Sequence, residues 1–246
     1  LLVLRLANGI SNGLVFVLAP ALVLEWLAQR GRATLSGLVY LGFAAGLLLT
    51  SWLAEAPAEL LRGAERWWPM AALAVPLALL SRLRLPAAAP QSGAAAPSRR
   101  LFDRASTPLF LAYAGAGLGY ILPMTFLPTL ASQLLPAGHS MIGQAWLWTA
   151  LACVISVPTW NHLGARLGDR AALFGTYLQQ GLGCAAPLLW PNATGVLLCA
   201  VLVGGGFIGS VLLTQRLARS LQPHQGPRLS AALIALYGGA QLSGPW

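Results

Sequence analysis

Arg5 is the first residue in this sequence whose type and setting could do chemistry. It sits in "LLVLRLANGISNGLVFVLAP", an otherwise apolar run. A guanidinium in hydrocarbon costs about 2.5–3.5 kcal/mol, so it tends to face a bundle interior or a water-filled path. Gly9 and Gly13 follow at four-residue intervals, which puts all three residues on one helix face. Small residues there let a neighbouring helix approach closely. Asn8 and Asn12 add polar groups beside them.

A second stretch, "AGAGLGYILPMTFLP", carries Gly117, Gly119, Pro123 and Pro128. Proline removes a backbone donor and breaks most helices in water. Inside a membrane bundle, neighbours or water satisfy the freed carbonyls. Interrupted helices also line substrate paths. The stretch therefore reads as a kinked, cavity-lining helix with Tyr113, Tyr120 and Thr125 as polar handles.

Catalytic sets are missing. Of six acidic residues, only Glu25 approaches the interior of an apolar run. His139 and His224 fall in loops, and His162 falls at the end of a run. No nucleophile has a base beside it and no ligand set has metal spacing, as intramembrane hydrolysis would require. Cys153, Cys184 and Cys199 lie within apolar runs, where they read as small buried hydrophobes. No enzyme, metal or cofactor is expected.

The elements that must position these residues follow from composition. Hydrophobic residues make up 57% of the chain and charged ones 9%, against about a quarter charged in soluble domains. Mean hydropathy is +0.69. Apolar runs of about 20 residues, the length a bilayer demands, recur throughout. Eight spans are expected, at 2–28, 35–54, 67–85, 107–134, 143–163, 171–190, 194–217 and 228–246. The net charge of +9 does not point to nucleic acid, which needs a solvated basic face.

Loop charge orients the spans. Arg30 and Arg32 follow the first, and Arg82, Arg84, Arg99, Arg100 and Arg104 follow the third. Arg166 and Arg170 follow the fifth, and Arg216, Arg219 and Arg228 follow the seventh. The intervening loops hold only Arg62 and Arg66, opposed by Glu55, Glu59 and Glu65. Cytoplasmic loops are enriched in Arg, so the odd-numbered loops are expected in the cytoplasm.

The third loop contains "PAAAPQSGAAAPSRR", the composition of a flexible linker. The expected organisation is 1–85 as the remainder of an N-terminal bundle, 86–106 as a cytoplasmic linker, and 107–246 as a C-terminal bundle. A faint echo supports related halves: "NGISNG…QRGR…SGLVYLGFAAG" against "GGGFIG…QRLAR…SAALIALYGGA". The chain opens and closes inside apolar runs, which reads as an internal portion of a longer membrane protein.

The stretches "RLANGISNGLVFVLAPALVLEWLA", "GLGYILPMTFLPTLA", "WNHLGARLGDR", "GGGFIGSVLLTQRLARSL" and "YGGAQLSGP" resemble the major facilitator superfamily. The nearest likeness is to its bacterial YbfB/YjiJ-type group. The resemblance covers nearly the whole chain and implies the fourth to eleventh of twelve spans. It also implies that "RLANGISNG" is the superfamily's Arg-x-x-x-Gly-x-x-x-Gly element, with Arg5 tied to proton coupling. "HLGARLGDR" is similar to the family's gating loop, which carries that role to Arg166, Gly168 and Arg170. Ala165 replaces the usual acidic residue there, and Asp169 stands where a basic one is common. These departures leave a charge lock at that loop unsupported.

The expected fold is an all-α polytopic membrane bundle of two halves. The expected function is secondary active transport of a small organic solute by alternating access, coupled to protons. Asn8, Asn12, Tyr120, Thr125 and Phe207 are the expected substrate contacts. The expected partners are the lipid bilayer, a small-molecule substrate and protons, with a monomeric protein in a bacterial inner membrane. A non-transporting scaffold or sensor that retains the fold is the alternative.

Overall fold

The computed structural model describes residues 2–32, 35, 37–55, 61–84, 100–222 and 225–243. Eight α-helices run through them: α1 (Leu2–Gln29), α2 (Gly37–Glu55), α3 (Trp68–Arg84), α4 (Thr107–Leu134), α5 (Ser140–Leu167), α6 (Asp169–Leu189), α7 (Ala193–Leu221) and α8 (Gly226–Ser243). A short 3₁₀ turn, Gly63–Trp67, leads into α3. No strand occurs among the described residues. The protein is an all-α membrane bundle, and each helix coincides with one of the eight expected spans to within a few residues. Residues 37–54, 107–134, 140–167 and 193–221 are long and apolar enough on their own to cross a bilayer.

Local chemistry fixes several helix ends. Asp103 Oδ1 accepts from the N–H groups of Ser106 (2.7 Å) and Ala105 (3.0 Å), and Ser106 Oγ donates to Leu101 O at 2.6 Å. This turn delivers the chain into α4, with Pro108 in its first turn, where a missing N–H costs nothing. The His139 imidazole caps α5 by accepting from Met141 N. Asn192 Oδ1 caps α7 by accepting from Thr194 N (2.9 Å) and Gly195 N (3.3 Å). Gly168, at φ +85°, joins α5 to α6 in one residue, a backbone conformation that glycine adopts at least cost. α4 stays helical across Pro123 and Pro128.

α7 is the most enclosed helix of the bundle, with buried residues from Gly195 to Ala218. α5 and α6 pack closest against it. Glycine makes this possible. A Cβ at Gly204 would strike the Thr149 carbonyl of α5, and one at Gly209 would strike the Trp160 ring. A Cβ at Gly183 of α6 would lie 2.9 Å from Leu202 Cβ. Side chains of α5 bond across this seam to the α7 backbone. Trp160 Nε1 donates to Gly205 O at 2.8 Å, Cys153 Sγ donates to Gly204 O at 3.3 Å, and Gly209 N donates to Ser156 Oγ at 3.1 Å. Small residues and cross-helix hydrogen bonds are how helices associate where lipid removes the hydrophobic drive.

α2 packs on α5, and α4 packs on α8, while α3 buries no residue. Large apolar side chains such as Leu111, Ile155, Phe174, Leu178 and Leu182 are exposed on the outer surface. That suits a solvent of acyl chains and would not suit water. Of the expected linker, only its final segment (residues 100–106) lies among the described residues. It is tied back to the end of α7, where Gln222 Nε2 donates to Arg100 O at 3.5 Å.

Candidate functional site

A cavity of about 700 Å³ opens near mid-length of the bundle, walled by α1, α2, α4, α7 and α8. Gly9 and Gly13 of α1 lie in its wall, and no atom stands within 4 Å of where a Cβ would sit on either. Both therefore leave open space.

The rest of the wall is aromatic. Phe16 of α1 meets Phe43 of α2 edge-on, with centroids 5.8 Å apart. Phe43 meets Phe207 of α7 at 6.1 Å. Phe207 lies flat under Tyr120 of α4, with centroids 4.3 Å apart and planes 9° apart. Tyr120 leans toward Tyr237 of α8 at 5.9 Å, and Tyr237 stacks on Tyr113 at 4.5 Å. The rings thus form one continuous chain that crosses from α1 and α2 to α7, α4 and α8. Edge-to-face and offset-stacked pairs of this kind are each worth about 0.5–1.5 kcal/mol beyond area burial. Among the described lining residues, the polar side-chain groups are the Tyr120 and Tyr237 hydroxyls and the Gln241 amide.

A polar layer lies next to the cavity on the side toward the Arg-rich helix ends. The Tyr40, Tyr113, Tyr177 and Thr214 hydroxyls and the Gln215 amide are buried there, Tyr113 facing Gln215 and Tyr177 facing Thr214. Tyr113 precedes Tyr120 by two turns of α4, and Thr214 follows Phe207 by two turns of α7.

The Arg-rich end of the bundle is held by charge. Arg216 of α7 pairs with Asp169 of α6 at 3.0 Å. The same guanidinium donates from Nη1 to Asn161 Oδ1 of α5 at 3.0 Å. Gly164 makes room, since a Cβ there would lie 2.9 Å from Asp169 Oδ1. The sequence left a charge lock at this loop unsupported; the structure places an ion pair beside it, with Asp169 as the acid and a base from α7. Arg166 and Arg170 are exposed, and the Gly168 turn sets the spacing between α5 and Asp169.

The expected site residues divide accordingly. Tyr120 and Phe207 meet in the cavity wall, and Gly117 is seated against Tyr237, whose carbonyl oxygen would be 2.8 Å from a Cβ there. Gly119 and Thr125 are exposed, Pro123 and Pro128 are half-buried, and Asn8 is exposed. Arg5 and Asn12 lie on α1, but their side chains fall outside the described set. The sequence reading passed over Phe16, Phe43, Tyr237 and Gln241 in the wall, and Asn161 and Arg216 in the charge lock. One signal was present: Phe43, Tyr120 and Phe207 each follow a glycine, and Tyr237 precedes two. A family model described as the uncharacterised MFS-type transporter YbfB matches residues 1–246. No curated protein and no solved structure matched the chain.

Proposed function

Since the chain belongs to the YbfB-type transporters of the major facilitator superfamily, we propose that it carries a small organic solute by alternating access, driven by a proton gradient. It is a multi-pass membrane transporter and not an enzyme. The observation that supports the finer reading is the cavity wall. Its rings come from α1 and α2 before the linker and from α4, α7 and α8 after it. A site shared between two halves is accessible to one side at a time when those halves rock against each other. The organisation into bundles at 1–85 and 107–246, joined at 86–106, belongs to this reading. So do a bacterial inner-membrane location with the Arg-rich loops in the cytoplasm and a monomeric working state.

Proton coupling falls to Arg5, on the strength of the Arg-x-x-x-Gly-x-x-x-Gly element it opens. Asn8, Asn12 and Thr125 remain proposed contacts beside Tyr120 and Phe207, as substrate ligands in another conformation. The charge lock of Asp169, Arg216 and Asn161 closes the Arg-rich end and opens during the cycle, with the Arg166–Arg170 segment moving as the gating loop. Purified protein in proteoliposomes under an imposed pH gradient tests this. Solute uptake that follows the gradient and is lost in Arg5→Gln supports the reading. No gradient-driven flux across a broad solute panel would favour a scaffold or sensor that retains the fold.

A further inference from the structure

The cavity also states what it is built to hold, and this inference rests on the transport reading of the same site. We propose that the substrate is a flat aromatic molecule of one or two fused rings that carries no positive charge and few hydrogen-bonding substituents. Three observations carry it. The wall offers rings from five helices, with Phe43 still 41% exposed beyond its edge contacts with Phe16 and Phe207. A planar ring gains stacking energy on such a wall that a saturated ring of equal size does not.

The second observation is charge. Among the described lining residues there is no carboxylate and no guanidinium. An amine would find rings but no described counter-charge, in a chain whose net charge is already +9. The third is polar count. Among the described lining residues, three polar side chains, Tyr120, Tyr237 and Gln241, serve the wall. A sugar or other polyol would leave most of its hydroxyls unpaired, at a cost per group that such a wall cannot offset. The volume of about 700 Å³ lies in the range that encloses one drug-sized ligand.

The test is equilibrium binding to the protein in lipid nanodiscs, with empty nanodiscs subtracted. Three probes of matched size serve: 2-naphthol, its saturated analogue 2-decalol and a naphthyl trimethylammonium cation. Naphthol is expected to bind saturably and at least about 3-fold tighter than each of the others. Phe43→Leu and Tyr120→Leu should each weaken it about 3- to 10-fold. Phe126→Leu, an exposed aromatic change outside the cavity, should leave it unchanged and reports on folding.

Equal binding of naphthol and decalol, a preference for the cation, or no saturable binding of any probe overturns the proposal. Flux in proteoliposomes separates it from the transport reading. Saturable naphthol binding without flux of any solute sinks transport and keeps the ligand class. Gradient-driven flux of a non-aromatic solute, blocked by Phe43→Trp, sinks the ligand class and keeps transport.

Discussion

Arg216 and Asp169 stand 47 positions apart in the sequence and 3.0 Å apart in the structure. The pair is part-buried, with side-chain exposures of 32% and 20%, and Asn161 holds the same guanidinium. A partly shielded pair with a supporting hydrogen bond sits near the top of the range for exposed ion pairs, about 1 kcal/mol. Asp169→Asn should therefore lower the thermal midpoint by a few degrees in detergent. The double exchange Asp169→Arg with Arg216→Asp should recover part of the loss. Equal destabilisation by the single and the double change would show that the pairing is incidental.

Glycine spacing along α7 predicts a contrast between two glycine-to-alanine changes. Gly204→Ala drives a methyl group into the Thr149 carbonyl, a backbone atom that cannot turn aside. Overpacking of this kind costs about 1–3 kcal/mol. Gly42→Ala on α2 meets nothing within 4 Å and should be neutral or stabilising by up to about 1 kcal/mol through helix propensity. Thermal unfolding of the two variants side by side checks the ordering. A stable Gly204→Ala protein would mean that α5 and α7 are less closely seated than described.

Acid should loosen the entry to α4. The backbone N–H of Ser106 first, then the Ser106 side chain and the Ala105 N–H, hold the Asp103 carboxyl below its usual range. A lowered folded-state value means that the charged form stabilises the fold above the ordinary aspartate pKa. That contribution disappears as pH falls through the lowered value. The thermal midpoint should thus drop on acidification below about pH 4, and Asp103→Asn should flatten part of that drop. An identical pH profile for the variant would remove Asp103 from the account.

Orientation can be read with thiols. Cys153 and Cys199 are buried and Cys184 is half-buried, so the native background to an impermeant reagent should be low. In intact cells, a cysteine introduced at Gly138, in the loop without arginine, should label. One at Ser220, among the arginines, should label only after permeabilisation. The reverse result would invert the topology.

Much of the fold was legible because lipid imposes a simple code. Each helix is an apolar run bounded by arginine, proline or glycine, so the run ends mark the helix ends. The site was harder to read. Thr125 lies five residues beyond Tyr120, about 140° around α4, so a polar residue near a cavity residue in sequence need not share its face. Phe16, Phe43 and Tyr237 look like ordinary core in an apolar run, and only packing shows that their rings join. Asp169 appeared as a departure from a loop pattern. Its partner lies on another helix, and no local spacing links the two.

The seam between α5, α6 and α7 has a mechanical consequence. Trp160 and Ser156 grip opposite ends of one turn of α7, and Arg216 clamps its far end to both neighbours. Three rods fastened in this way behave as a single spindle. Rocking of the halves then reshapes the aromatic chamber where Phe43 of α2 meets the spindle edge-on at Phe207, and only the Arg216 end of the spindle is left to release.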